Sequence, residues 1–228
     1  MEIKICGITN LEDALAAAEC GVDALGFIFF PKSPRHVSPE AAKAIIAELP
    51  AEIVKVGVFV NRDAGEVTEI REFCGLDLIQ LHGDETPDYC RGFPPEVLIK
   101  AVSPRCADDL PPLSAYRVRA LLADFRDGSR YGGTGMSADW NLAAKVAKSR
   151  PLILAGGLSV ETIRRAIAAV APGAVDINSG VERSPGKKDP EKMKNIVRII
   201  RRDAPAGARR GRRIFDRPIR VPQRMIAS

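Results

Sequence analysis

The sequence predicts a closed (β/α)8 barrel, and three observations carry that prediction. Eight short apolar runs alternate with helix-period segments from the start of the chain to about residue 202. Nearly all of these runs are apolar throughout rather than alternating, as parallel strands are when helices cover one face and a packed interior the other. The chain has 228 residues, a length that suits such a barrel as one domain. An open doubly wound sheet is the competing architecture. It calls for G-x-G-x-x-G after the first strand, and this chain has CGITNLED there.

The first run, IKICGI (3–8), is followed by Asn10, a side chain suited to capping a helix over LEDALAAAEC. After ALGFIFF (24–30), Ser38-Pro39-Glu40 supplies a cap and a first-turn proline ahead of AAKAIIAEL. The third to fifth runs are VKVGVFV (54–60), LDLIQLH (76–82) and VLIKAVS (97–103). The helix expected around 104–115 is the weakest of the set, because the prolines of LPPLS remove donors and crowd the preceding turn. RALLADF (119–125), PLILAGG (151–157) and AVDINSG (174–180) complete the eight, with Ser159 and Thr162 as start signals for IRRAIAAVA. GITNLEDALAAAECGVDALG and GLSVETIRRAIAAVAPGAVDINSG echo each other as repeated βα units do.

Composition narrows the class. Apolar residues make up 46% and charged residues 28%, a globular balance. No apolar run approaches the roughly 18 residues of a membrane span, and MEIKICGI lacks the layout of an export signal. A cytoplasmic protein with no membrane partner is therefore expected. The five cysteines (Cys6, Cys20, Cys74, Cys90 and Cys106) are an odd number without a C-x-x-C pair, and there are only two histidines. That argues against a disulfide framework or a structural zinc site, so no metal is expected.

The net charge of +5 is unevenly spread. From Arg198 onward ten arginines face only Asp203 and Asp216, a net +8, so the preceding residues carry −3. Residues 1–202 are thus expected to form the catalytic barrel, and 203–228 a disordered Arg-rich extension. Clustered arginine leaves nucleic acid open as a partner, and a barrel scaffold with an RNA-binding tail is the non-enzyme alternative. No stacking platform or groove reader supports it.

In a barrel, chemistry sits at the C-terminal ends of the strands. There the sequence places Cys6; Lys32, Ser33 and Arg35; Asn61; Gln80 and His82; Lys100; Asp124; Gly156-Gly157; and Asp176, Asn178, Ser179 and Gly180. Paired LAGGLS and INSGVE after the seventh and eighth runs suit a phosphate, since glycine lets backbone N–H groups approach an anion. Cys6 and Asp124, at the ends of the first and sixth runs, are expected to face each other as base and acid. For that the thiol pKa must fall and the carboxyl pKa rise.

The motifs KICGITNLEDA, GFIFFPKSPRHVS, VGVFVN, IQLHGDE, YGGTG…DW, AGGL and VDINSGVERSPGKKD, in this order over about residues 2–200, closely resemble the phosphoribosylanthranilate isomerase family of tryptophan biosynthesis. The resemblance implies a cofactor-independent Amadori rearrangement of a phosphorylated small molecule by a monomer or homodimer. It implies Asp124 as general acid on the furanose ring oxygen and Cys6 as the base that removes the C2′ proton. Arg35 would pair with the anthranilate carboxylate; Gly156, Gly157, Ser179 and Gly180 would hold the phosphate. Asp176 would meet the sugar or the amine, with Gln80 and His82 along the wall of the substrate site. Departures from the family pattern are a second acid, Asp127, after Asp124, Ala138 where an aromatic is usual, and Asn178 where serine is common. A histidine-pathway or dual-specificity sugar isomerase is the alternative enzyme; that family has aspartate at the position of Cys6.

Overall fold

Eight parallel strands close on themselves in chain order in the computed structural model, which describes residues 1–103, 111–124, 137–203 and 213–218. They are β1 (Glu2–Cys6), β2 (Ala24–Ile28), β3 (Val54–Phe59), β4 (Leu78–Leu81), β5 (Leu98–Val102), β6 (Ala120–Asp124), β7 (Leu152–Ala155) and β8 (Ala174–Ile177), with β8 paired back to β1. Apart from Glu2, every strand residue falls within the run expected of it. The residues that follow leave the ladder and form the rim.

Around the barrel lie α1 (Leu11–Glu19), α2 (Pro39–Ala47), α3 (Ala64–Cys74), the single turn α4 (Pro87–Cys90), α5 (Ser137–Ser149), α6 (Ile163–Val170) and α7 (Pro190–Asp203). Asn10 and Ser38 cap as expected, accepting from the N–H groups of Asp13 and Ala41. Thr162 does not cap α6. Its hydroxyl donates to the Gly157 carbonyl at 3.0 Å and accepts from Ser159 N–H at 2.9 Å, which ties the glycine loop to the helix. Where the weakest helix was expected, Pro111–Ala115 forms a 3-10 turn, and residues 104–110 lie outside the described residues.

The continuous apolar runs conceal two alternating sets, since successive strand side chains point to opposite faces. One set, including Ile3, Ile5, Leu25, Phe27, Leu121, Leu154 and Val175, packs under the helices. The other, including Ala24, Val54, Val56, Leu78, Ile99, Leu122, Ile153 and Ala174, fills the barrel interior.

Two side chains from far along the chain join that interior set: Ile214 and Phe215, 4% and 2% exposed. The Glu2 carboxylate, at the N-terminal end of β1, accepts from the backbone N–H groups of Ile214 (2.6 Å) and Phe215 (3.1 Å). Arg213 pairs with Glu2 and Asp23, while Arg119 donates to the carbonyls of Ile214 and Asp216. Residues 213–218 therefore plug the end of the barrel opposite the strand C-termini, which corrects the expectation of disorder for this part of the extension. The reason is that a lone Ile-Phe pair has no periodicity to read, and its burial depends on a barrel end floored by small residues such as Ala24, Ala120 and Ala174. Arg213 and Arg217 point at Glu2, Asp23 and Asp77 of the barrel, which weakens the nucleic-acid reading at those positions. Residues 204–212 and 219–228 lie outside the described residues. Among the described residues no helix is long and apolar enough to cross a membrane.

After β8 the chain makes a 3-10 turn (Ser179–Val181) and a short antiparallel ribbon, β9 (Glu182–Ser184) with β10 (Lys187–Lys188). This charged ribbon was not legible as strand from ERSPGKK, yet it carries two residues that matter to the site.

Candidate active site

The C-terminal mouth of the barrel opens into a cavity of about 620 Å3, within the usual range for small-molecule sites. Of the residues expected to act there, Cys6, Arg35, Gln80, His82, Asp124, Gly156, Gly157, Asp176 and Ser179 all line it, together with Lys32, Ser33 and Asn178. Gly180 does not. A β-carbon at this position would collide with the Leu158 carbonyl, so the smallness of glycine lets the loops after β7 and β8 pack together. Lys100 and Asn61 are also directed elsewhere. Lys100 forms a buried pair with Glu85 at 2.8 Å, and Glu85 accepts from the Asn61 backbone N–H, which braces the turn after β4. Asp127, Cys106 and the YGGTG motif lie outside the described residues, as does the Ala138 side chain.

Strand periodicity builds the floor. Lys4 and Cys6 are two residues apart on β1 and so share its inner face. Lys4 is fully buried, and its ammonium donates to Asp176 Oδ2 at 2.8 Å and to Gln80 Oε1 at 2.9 Å. On the neighbouring strand Gly26 makes room: a β-carbon there would stand 2.7 Å from Cys6 Sγ and 3.0 Å from Lys4 Cε. The two groups thus lie over one point of β2, and they interact electrostatically. Asp176 borders the cavity, is 7% exposed, and has no hydrogen-bond partner for Oδ1 among the described residues. A buried acceptor of this kind is costly unless something donates to it.

From this floor the polar contacts climb one wall. Gln80 Nε2 lies 2.8 Å from His82 Nδ1, and His82 Nε2 lies 3.0 Å from Asp124 Oδ2. Asp124 is the last residue of β6, 8% exposed. The acid candidate therefore stands at the end of a chain of side chains that starts beneath the base candidate.

Across the mouth, Arg35 donates through Nε and Nη2 to the two oxygens of Glu182, at 2.8 and 2.6 Å. Glu182 also receives Lys188 at 2.9 Å, and Lys188 reaches Asn178 Oδ1 at 3.0 Å. Burial alone would raise the Glu182 pKa; hydrogen bonds from Arg35 and Lys188 outweigh it and hold the carboxyl below its usual range. One edge of the Arg35 fork is thus anchored to the protein, and Arg35 borders the cavity.

The electrostatics correct one expectation. The Cys6 thiol is not lowered in the unliganded protein: burial pushes it above its ordinary value, against the pull of Lys4 and Lys188. Lys4 behaves oppositely. Burial pulls its pKa down, but Asp176 and Cys6 beside it more than compensate, so the ammonium is held above the ordinary lysine value.

Lys4, Glu182 and Lys188 were absent from the residues expected to serve the site. Lys4 was recoverable from its spacing to Cys6 on one strand face. Glu182 and Lys188 were not, because only the fold of the ribbon after β8 brings them to Arg35.

The N-(5′-phosphoribosyl)anthranilate (PRA) isomerase family profile matches residues 3–199. The chain belongs to this family. Over 201 residues it is 56% identical to an N-(5′-phosphoribosyl)anthranilate isomerase of Syntrophus aciditrophicus, covering 88% of this chain and 87% of that one. The crystal structure of the isomerase from Thermotoga maritima superposes with a TM-score of 0.79 at 42% identity, covering 87% and 97% of the two chains. A structure of a family isomerase complexed with reduced 1-(o-carboxyphenylamino)-1-deoxyribulose 5-phosphate aligns at 40% identity, with a TM-score of 0.77 over the same shares. The family match stops at residue 199, so the Ile214-Phe215 plug lies beyond it.

Proposed function

We propose that this chain isomerises N-(5-phosphoribosyl)anthranilate to 1-(2-carboxyphenylamino)-1-deoxyribulose 5-phosphate, the Amadori step of tryptophan biosynthesis. The observation that carries the reading is a single cavity lined by Cys6, Asp124, Arg35 and a glycine loop, in a chain of this family. Asp124 gives a proton to the ring oxygen as the C1′–O bond breaks and the nitrogen lone pair forms a cationic imine. That cation acidifies the neighbouring C2′–H, and Cys6 as thiolate removes this proton to leave an enolamine. The enol then becomes the ketone, C1′ gaining a proton as the hydroxyl loses one, so no redox partner is required.

The raised thiol fits this order of events. Burial keeps Cys6 protonated until a cationic imine above it, with Lys4 below, favours the thiolate, the thiol proton leaving to solvent through the open mouth of the cavity. Arg35 receives the anthranilate carboxylate on its cavity-facing edge. Gly156 and Gly157, at φ +85° and +62°, adopt backbone that glycine tolerates best, and with Ser179 they bind the phosphate. Asp176 Oδ1 accepts a hydrogen bond from the sugar or the amine.

The test follows loss of anthranilate-derivative fluorescence with wild type, Cys6→Ala and Asp124→Asn. Each substitution is expected to cost roughly 10²–10⁴-fold in kcat. An inactive wild type, or two variants that turn over like it, would overturn the assignment.

A further inference from the structure

The side chains between Lys4 and Asp124 allow only one arrangement of hydrogens. A lysine ammonium donates and cannot accept, so the atom of Gln80 that faces Lys4 is the carbonyl oxygen. The amide nitrogen then faces His82 Nδ1, and it can only donate. Nδ1 must therefore carry a lone pair. The ring proton is left on Nε2, where the nearest acceptor is Asp124 Oδ2. Each step follows from the one before it, starting from a cation buried under the base candidate and paired with Asp176.

We propose that Lys4, Gln80 and His82 are positioning residues that hold His82 as the neutral Nε2–H tautomer and commit Asp124 Oδ2 as an acceptor. The inference rests on Asp124 acting as the general acid. The proton it delivers is then carried on Oδ1, while the His82 N–H strengthens its bond to Oδ2 as the carboxylate forms. A doubly protonated ring would do the reverse: as an imidazolium it would hold Asp124 ionised before substrate arrives and leave Asp124 without a proton to deliver to the sugar. Gln80 opposes that state, since a second proton on Nδ1 would point at an amide N–H, and turning the amide would point that N–H at the Lys4 ammonium. Among the described residues, the charged groups linked to His82 by hydrogen bonds are Asp124 directly and, through Gln80, Lys4 with Asp176. His82 and Gln80, besides lining the cavity, thus act through Asp124.

The experiment uses the full chain labelled with 15N-histidine. His36 and His82 are its two histidines, so one variant assigns the signals. In the unliganded protein near neutral pH, His82 is expected to show a pyridine-like Nδ1 and a pyrrole-like Nε2. The opposite tautomer, or an imidazolium, would overturn the proposal. Gln80→Glu places an acceptor at Nδ1 and is expected to make both nitrogens pyrrole-like and to lower kcat; an unchanged spectrum also refutes the relay. His82→Gln retains a neutral N–H near the Nε2 position. It is expected to stay within about 10-fold of wild type in kcat, whereas His82→Ala loses roughly 10–150-fold, the worth of one hydrogen bond to a charged group. Equal losses in the two would show that the ring itself supplies the proton. Asp124→Asn at wild-type turnover would instead refute the acid assignment while leaving the wild-type nitrogen spectrum as it was, so the two failures are separable.

Discussion

Phe215→Ala tests whether the plug belongs to the barrel's core. The ring is 2% exposed and sits among the interior side chains of the strands. Burying a phenylalanine side chain contributes up to about 3 kcal/mol by transfer from water, and truncating one in a packed core costs about 3–5 kcal/mol once the cavity is included. The eight strands hydrogen-bond to one another around the whole barrel, so undocking the plug leaves that ladder closed and the loss is capped by the free energy of docking. A central value of about 3 kcal/mol follows. For a chain of this size it lowers Tm by roughly 6–12 °C. Thermal unfolding followed by circular dichroism at one protein concentration reads the shift, and deletion of residues 204–228 should produce a fall of similar size. The catalytic cavity lies at the other end of the strands, which at five residues for β1 is roughly 15 Å away. Below the transition kcat/KM should therefore stay within about twofold of wild type. A Tm within about 1 °C of wild type, or a loss of kcat/KM while the barrel is folded, would refute the reasoning.

Three further outcomes follow from the titratable groups. Glu182→Gln removes the carboxylate that anchors Arg35 and neutralises buried Lys188, and it should raise KM by about 10- to 100-fold. Steady-state kinetics giving an unchanged or lower KM would mean that Arg35 needs no anchor. Because the folded-state Glu182 pKa is depressed, its stabilisation is complete above the ordinary value of 4.5 and is lost as pH falls below it. The stability gap between wild type and Glu182→Gln should therefore narrow in acid. The Cys6 thiol is raised above its ordinary 9.0, so iodoacetamide should label it slowly near neutral pH and faster only as pH passes that value. Mass spectrometry of the alkylated peptides reads this directly; rapid neutral labelling of Cys6 would mean that the thiolate exists before substrate binds.

The barrel was legible because parallel strands buried on both faces must be apolar throughout, and eight such runs appear in order. What blurred was the ends of the elements. The runs PLILAGG and AVDINSG overshoot β7 and β8 because Gly156, Gly157 and Asn178 leave the ladder to form the rim. Of the helix expected around 104–115, the described part, Pro111–Ala115, is a 3-10 turn, where prolines deny a helix its donors. Most of the rim was legible too, since polar residues after apolar runs stand out. Their partners were not: Gln80 and His82 looked like wall residues until the fold joined them to Lys4 and Asp124.

By itself the sequence determined the strand count, the end of the barrel that carries chemistry, and, through its motifs, the family and the residues to examine. Those are local properties, readable in windows of a few residues. The tertiary structure alone decided which charges meet. Lys4 and Asp176 are 172 residues apart, Arg35 and Glu182 147, and Glu2 and Phe215 213. Pairings at such separations depend on barrel closure and on the path of the chain after β8. Burial then sets their consequences, because a charge loses its hydration only once the fold encloses it: an ammonium held charged under the active site, a thiol held protonated above it, and an Ile-Phe pair converted from tail to core.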